Sequence, residues 1–399
     1  MKKVDISVDF CGLHFENPFI LSSAPPTANA EMIRRAFDAG WAGAVTKTLA
    51  LKPTQNVRPR FSSFCSESGT PIGFENIEQI TDHKLEEWLP KLRKIKKKYP
   101  NKILIASLMA PANPQEWQKL AQRVQSTRPD MFELNLSCPH MAEMGRGSYI
   151  GQDPQLTSDV VKWVTEVAEV PVMAKLTPNV TDIAYIGFMA KKSGADALSA
   201  INTVRALMGV DLDTMEPKPS INGFSAFGGL SGSCVKPIAL RCVAQIAKGT
   251  GLPVSGIGGI TDWRDAVEFL MCGATTLQLA TAVMYNGYEI INDMTTGLSN
   301  YLYEKSISSV KEITGKVLPK IGDLANLDFG YKVVYEVDKT KCIKCGLCYR
   351  ACRDGAYDAI KADEERLPTI DEEKCDGCSL CKHVCPVWNC INMKVVKRG

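Results

Sequence analysis

Eight cysteines near the C-terminus fall into two runs of identical spacing. Cys342, Cys345, Cys348 and Cys352 give C-x2-C-x2-C-x3-C, and Cys375, Cys378, Cys381 and Cys385 repeat it, with Pro386 after the last. Close thiolates on tight loops suit a cubane of iron and sulfide, because soft metal centres prefer sulfur. In a doubled run of this kind the fourth cysteine of each run crosses to the other cluster. The spacing therefore assigns Cys342, Cys345, Cys348 and Cys385 to one [4Fe–4S] cluster, and Cys375, Cys378, Cys381 and Cys352 to a second. A pair of structural zinc sites would use two C-x2-C knuckles and leave the third and fourth cysteine of each run without a role. The expected chemistry is transfer of single electrons. Cys390 is a ninth cysteine in this tail, with no required ligand role.

A second set of reactive side chains lies upstream, and the elements that carry them give them meaning. Short apolar runs recur at Phe19–Ser23, Ala42–Lys47, Ile103–Leu108, Phe132–Leu136, Val172–Leu176, Ala197–Asn202, Val254–Gly258 and Thr276–Thr281. Between them lie amphipathic stretches such as Glu31–Ala39, Glu116–Gln125, Thr157–Ala168, Asp182–Lys192, Pro237–Ala247 and Trp263–Met271. Strands alternating with helices imply a parallel sheet. Eight of them in about 280 residues fit one (β/α)8 barrel, a TIM barrel. A doubly wound sheet would more often show G-x-G-x-x-G after its first strand, and none stands there. The α/β barrel is expected over residues 1–305, a connector over 306–335, and an α+β cluster domain over 336–399.

In such a barrel the chemistry sits at the C-terminal ends of the strands. Those ends carry Ser23, Lys47, Leu108, Asn135 with Cys138 just beyond, Lys175, Asn202 with Thr203, Gly258 with Gly259, and Ala280 with Thr281. A lone lysine there is commonly solvated and a lone asparagine commonly caps a turn. Convergence of all of them on one mouth is a different matter. A centre that trades single electrons with clusters and also acts on a substrate points to flavin. The segment Ser255–Ile260 (SGIGGI), with Ala280 and Thr281, offers bare backbone N–H groups where barrels commonly bind phosphate. One phosphate favours FMN over a dinucleotide, although SGIGGI also reads as a tight strand-to-helix turn. Lys175 could stabilise the anion that develops on a reduced flavin by Coulomb attraction.

Composition narrows the rest. The 399 residues leave room for about two or three domains. Nine of the 15 cysteines lie between Cys342 and Cys390, so they mark a cluster module rather than a disulfide framework. No apolar stretch reaches the length of a membrane span, and Asp5 and Asp9 interrupt any signal-peptide core. A net charge of +3 on a mixed background gives no case for nucleic acid. The basic run Lys91–Lys98 (KLRKIKKK) follows the helical spacing of Leu85, Leu89, Leu92 and Ile95, and reads as a solvated helix face rather than a partner patch. The protein is expected to be cytoplasmic.

The motifs Asn135–His140 (NLSCPH), Lys175–Val180 (KLTPNV), Ile201–Val204 (INTV), Gly228–Gly232 (GGLSG) and Gly256–Ile260 (GIGGI) resemble those of the dihydropyrimidine dehydrogenases. The nearest likeness is to the bacterial subunit with an FMN barrel and a two-cluster ferredoxin tail, in the wider dihydroorotate dehydrogenase superfamily. This resemblance implies reduction of the 5,6 double bond of uracil or thymine, with hydride passing from FMN N5 to C6. It implies that Cys138 is the general acid that protonates C5, under a mobile loop spanning Met141–Ser148, and that Lys175 serves at the same centre. It implies substrate contacts from Asn76, Glu78, Asn135, Asn202 and Thr203. Flavin contacts are implied for Ser23, Lys47, Thr48, Lys175, Gly232, Gly258, Gly259, Ala280 and Thr281. A thiol suits the acid role, since a pKa near 8.5 leaves it protonated at neutral pH yet able to donate.

The larger eukaryotic members carry domains for FAD and NADPH, whereas this chain begins almost at the barrel and is expected to be unable to use a nicotinamide alone. A separate FAD- and NAD(P)H-binding partner subunit is therefore expected as electron donor, with ferredoxin as a substitute, and a homo-dimer within a hetero-oligomer. Arg353 stands where proline commonly follows the fourth cysteine, and the 22 residues between Cys352 and Cys375 read as a longer loop rather than a docking surface. Three rival readings remain. A dihydroorotate dehydrogenase would carry asparagine after Cys-Pro, where this chain has His140. The others are an inert barrel that only relays electrons and reduction of another activated cyclic C=C bond.

Overall fold

Eight short parallel strands close on themselves in the computed structural model, which describes residues 4–137, 145 and 147–396. They are β1 (Phe19–Leu21), β2 (Gly43–Val45), β3 (Ile103–Leu108), β4 (Met131–Asn135), β5 (Val172–Lys175), β6 (Ala197–Ala200), β7 (Val254–Ile257) and β8 (Ala274–Leu279). Each strand pairs with the next, and β8 returns to β1 through Leu277 opposite Phe19. The strands are buried almost throughout, as expected when helices cover one side of a sheet and its own interior fills the other. The (β/α)8 barrel expected from the alternation is the fold observed, with strand ends moved by at most two residues.

The helices are α1 (Ala30–Ala39), α2 (Leu85–Lys98), α3 (Pro114–Gln125), α4 (Pro154–Thr165), α5 (Ile183–Lys192), α6 (Lys236–Thr250), α7 (Trp263–Met271) and α8 (Ile290–Glu304). Their starts follow from side chains that accept orphan N–H groups. Asn29 caps α1, Asn113 caps α3 ahead of Pro114, Asp153 caps α4 ahead of Pro154, and Asp182 caps α5. At α7 Asp262 and Asp265 form a reciprocal capping box. On α2 the buried side is Leu85, Trp88, Leu92 and Ile95, so the basic run lies mainly on the outward face. Among the described residues no helix is long and apolar enough to cross a membrane.

The two barrel ends differ. A hairpin of Val8–Phe10 and Leu13–Phe15 covers the N-terminal end, where Phe15 packs against Gly43 at the first residue of β2. The C-terminal end carries a four-stranded antiparallel sheet that periodicity did not reveal. Its strands are Phe61–Cys65 and Pro71–Asn76 from the β2–α2 connection, and Val204–Ala206 and Gly228–Ser231 from the β6–α6 connection. Glu75, fully buried, ties the two excursions by accepting N–H groups of Met208 and Gly228, each at 3.2 Å. Burial raises its carboxyl pKa against the pull of those two bonds.

The chain divides into two compact units, Met1–Lys320 and Ile321–Gly399. The division falls inside the 306–335 stretch. Val310 and Ile313 belong to the barrel core, whereas Lys332–Val337 is a strand of the second unit. That strand pairs antiparallel with Ile391–Val396. Helices Leu347–Gly355 and Leu380–His383 each begin just after the second cysteine of a run. Part of the 22-residue segment expected as a loop is instead a hairpin of Ile360–Ala362 and Pro368–Ile370. Its turn is closed by Asp363 Oδ1, which accepts the Leu367 N–H at 2.7 Å.

Candidate active site and cluster sites

A cavity of about 610 Å³ opens at the C-terminal end of the barrel, in the size range of small-molecule and cofactor sites. The structure brings Ser23, Lys47, Thr48, Asn76, Glu78, Asn135, Lys175, Asn202, Thr203, Gly232, Gly258, Gly259, Ala280 and Thr281 to its walls. Cys138 and most of the 141–148 stretch lie outside the described residues. Asn76 descends from the sheet above the mouth, at the end of Pro71–Asn76, while Asn135 and Lys175 end neighbouring strands β4 and β5.

The amides on one wall are held by their neighbours. Asn135 donates to Thr48 Oγ1 at 2.9 Å, and Asn202 donates to Asn135 Oδ1 at 3.2 Å and to Ser137 Oγ at 2.7 Å. Asn202 Oδ1 accepts the Thr203 N–H at 2.9 Å, and Asn76 donates to the Gly229 carbonyl at 3.2 Å. Thr48 Oγ1 lies 3.1 Å from Ser23 Oγ and 2.9 Å from Ser107 Oγ. Each amide carries two donors and an acceptor with two lone pairs, so these contacts fix orientation and leave capacity for a ligand.

The cationic groups are paired. Lys47 and Glu78, both more than nine-tenths buried, form an ion pair, and Arg60 Nε donates to the other Glu78 oxygen at 3.1 Å. Glu78, expected as a substrate contact, thus also holds two cations. Lys175 donates to Ser22 Oγ at 3.3 Å and stands 3.5 Å from Glu133 Oε2. Glu133 further accepts Ser199 Oγ at 2.9 Å and Gln278 Nε2 at 2.8 Å. Ser22, Arg60, Ser107, Glu133, Ser137 and Gln278 escaped the sequence reading. For Glu133 a signal existed, because a carboxylate in the middle of a buried strand must be partnered. It lies two residues before Asn135, so both point to the same side of β4.

On the opposite wall the chain turns from β7 into α7 through Gly258 (φ 116°) and Gly259 (φ 79°). A Cβ at Gly259 would stand 2.6 Å from the Lys236 backbone nitrogen, and one at Gly258 would stand 3.0 Å from Ala239 and Ile201. Close packing of the turn alone therefore demands glycine. That same packing leaves bare backbone at the cavity wall, as a phosphate needs. Gln278 Oε1 is buried without a partner and its residue lines the cavity. An acceptor of this kind fits a heterocycle with a ring N–H. Lysines, a glycine turn and an orphan acceptor around one cavity are a donor set that fits FMN.

Asp265 secures this turn. Its carboxylate accepts Thr261 Oγ1 at 2.6 Å, Thr261 N at 2.8 Å and Lys236 Nζ at 2.7 Å. Burial pushes its pKa up, but the bonds from Lys236 and Thr261 outweigh that and leave it below the ordinary carboxylate value of 3.8. A depressed carboxyl stabilises the fold above its unfolded pKa and loses that contribution as pH falls through the folded one. Asp265→Ala is expected to lower flavin content after gel filtration while β-barrel circular dichroism persists. In the unaltered protein the turn is expected to loosen only below about pH 4. Full flavin retention by the variant would show that the turn stands without this carboxylate.

In the second unit two small cavities are each bordered by four cysteines of the two runs, and Cys390 also borders one of them. One has Cys342, Cys345, Cys348 and Cys385, and the other has Cys352, Cys375, Cys378 and Cys381. Three sulfurs of each quartet come from one run and the fourth from the other. Among the described residues no three His, Cys, Asp or Glu side chains converge on a single metal ion. All-thiolate quartets fit iron–sulfur cubanes.

Residues 5–302 match the family model described as dihydroorotate dehydrogenase, and residues 336–393 match the 4Fe-4S dicluster domain. The NAD-dependent dihydropyrimidine dehydrogenase subunit PreA of Escherichia coli strain K12 is 44% identical over 98% of this chain and 96% of its own length. The chloroplastic dihydropyrimidine dehydrogenase (NADP(+)) of Arabidopsis thaliana is 39% identical over 79% of this chain and 77% of its own. The catalytic subunit of dihydroorotate dehydrogenase B (NAD(+)) of Pyrococcus abyssi is 42% identical over 78% of this chain and 99% of its own. An eight-stranded barrel with a polar mouth, followed by two cysteine quartets, accords with these likenesses over nearly the whole sequence. The chain belongs to the dihydroorotate dehydrogenase family, in its dihydropyrimidine dehydrogenase branch, and is an oxidoreductase whose barrel is followed by a 4Fe–4S dicluster domain.

Proposed function

We propose that the chain reduces the 5,6 double bond of uracil or thymine to the dihydropyrimidine, with FMN in the barrel cavity and a [4Fe–4S] cluster at each cysteine quartet. Electrons come from a separate FAD- and NAD(P)H-binding subunit, with ferredoxin as a substitute. FMN, when bound, supplies a hydride and accepts electrons singly. Ser23, Lys47, Thr48, Lys175, Gly232, Gly258, Gly259, Ala280 and Thr281 would hold it. Asn76, Asn135, Asn202 and Thr203 orient the pyrimidine by pairing with its alternating C=O and N–H groups. Glu78 acts on the substrate wall through Lys47 and Arg60. The Cys138 thiol gives its proton to C5 while hydride arrives at C6, so two electrons and two hydrogens saturate one C=C bond.

The carrying observation is the wall of three amides fixed by Thr48, Ser137 and the Gly229 carbonyl. A second supports a neutral ring over orotate. Lys47 and Arg60 are engaged by Glu78, and Lys175 by Glu133, so these cations already have carboxylate partners. The test is anaerobic purification followed by flavin, iron and a substrate panel. About one FMN and about eight irons per chain are expected. Dithionite-bleached flavin should be reoxidised by uracil or thymine faster than by orotate. Orotate turning over faster would overturn the pyrimidine-base assignment, and protein lacking flavin would overturn the barrel assignment.

A further inference from the structure

The first cysteine quartet has a fifth thiol beside it. Cys390 borders the same cavity as Cys342, Cys345, Cys348 and Cys385, and only 2% of it is exposed. It packs in one buried cluster with Cys342, Cys348 and Cys385. It also lies 3.7 Å from the Asp338 carbonyl. The backbone fixes this position. Cys390 O accepts the Asp338 N–H at 2.7 Å, Cys390 N donates to Val387 O at 3.3 Å, and the next residue begins the Ile391–Val396 strand. The side chain is thus held at the wall of the first quartet's cavity by the backbone of its own unit.

The second quartet has no such neighbouring thiol among the described residues. In each quartet one backbone N–H meets a ligand sulfur: Lys344 N to Cys342 Sγ at 3.4 Å, and Ala359 N to Cys352 Sγ at 3.3 Å. Among the described residues, Tyr335 and Tyr357 border the second cavity, Tyr357 being engaged by Asp376, and no fifth cysteine does. Hydrogen bonds to cluster sulfurs are among the levers that set reduction potential, because they stabilise the added negative charge of the reduced state. A ligand thiolate is a stronger acceptor than a neutral carbonyl.

Resting on the cluster assignment above, we propose that Cys390 is an S–H donor to the ligand sulfurs of the Cys342/Cys345/Cys348/Cys385 cluster and makes that cluster the easier of the two to reduce. The two sites of a symmetric ligand pattern become unequal through one residue outside the pattern. Electrons entering the tail collect first at the first cluster, and its occupancy depends on a thiol that is not a ligand.

The test is an anaerobic redox titration of the full chain followed by electron paramagnetic resonance, with iron and sulfide measured on every sample. In Cys390→Ala one of the two reduction waves should move so that the reduced-to-oxidised ratio at fixed potential drops about fivefold, the worth of one hydrogen bond. At 59 mV per decade this is about 40 mV toward negative potential. Cys390→Ser, a stronger donor of similar size, should hold that wave in place or raise it. Waves that stay in place in the alanine variant, or that move together, overturn the proposal. So does a serine variant that shifts like alanine, since lost packing alone would produce that. Should the alanine variant fail to retain iron, Cys390→Val keeps the volume without the donor and must lower the same wave. If neither loads, the serine variant decides, and a lowered wave overturns the proposal. Absence of iron from the unaltered chain would instead overturn the cluster assignment itself.

Discussion

Cys138→Ala is expected to retain flavin and iron and to lose pyrimidine reduction by about 10²–10⁴-fold, the usual contribution of a positioned general acid. That range corresponds to about 3–5 kcal/mol of transition-state stabilisation. The physical reason is local. A proton must reach C5 as charge builds there, and the other residues proposed for the substrate wall are amides and a hydroxyl, which are poor acids at neutral pH, and Glu78, whose carboxylate is engaged by Lys47 and Arg60. Reduction in the unaltered protein should fall as pH rises above about 8.5, where an ordinary thiol has lost its proton. The loss should appear in kcat with KM nearly unchanged, because the amide wall that binds the ring is untouched. Near-normal turnover in stopped-flow single-turnover assays would remove Cys138 from the acid role. A parallel loss of flavin would instead mark a structural defect.

Cys345→Ser should separate the barrel's chemistry from its electron supply. Cys345 is exposed and borders the first quartet's cavity, so its loss removes one ligand without disturbing the barrel core. Flavin content should stay at its normal level. Turnover driven by an NAD(P)H-linked partner is expected to drop to background, whereas bleaching of the flavin by added dihydropyrimidine should keep its rate. Iron analysis checks that the first cluster is the part lost. Partner-driven electrons arriving at the usual rate would mean that they bypass the tail.

The barrel was legible because two different periodicities alternate along the chain. Runs such as Ile103–Leu108, buried at every position, have no solvent face and therefore show no period-2 signal, but their length and spacing mark them as parallel strands. Helix starts were equally visible in Asn29, Asn113–Pro114 and Asp153–Pro154, since capping is a local matter. The sheet above the mouth was not. Phe61–Cys65 and Val204–Ala206 are short and half exposed, and the sheet closes only where Pro71–Asn76 pairs with Gly228–Ser231, 153 residues on at Asn76 and Gly229. No local pattern specifies such a partner. The hairpin at Ile360–Ala362 was hidden for the same reason, its strands being only three residues each.

Ligand chemistry divides along the same line. The cysteine runs declare their function because both clusters draw on spacing within a few residues, and the spacing alone anticipated which three sulfurs of each run border one cavity. Sequence likewise nominated Lys47, Asn135, Lys175 and Asn202, each at or just beyond the end of a barrel strand, whereas Asn76 came from the family resemblance and lies on the sheet above the mouth. Only the folded chain decided that Glu78 bridges Lys47 and Arg60, that Glu133 stands by Lys175, and that Cys390 borders the cavity of the first quartet. The ion pairs join residues 18 to 42 positions apart, and their cost or benefit depends on shared burial. Identity and local spacing fix what a side chain can do. Which partner neutralises or tunes it is set by packing, because desolvated charges and thiols interact only with what the fold leaves within a few ångströms.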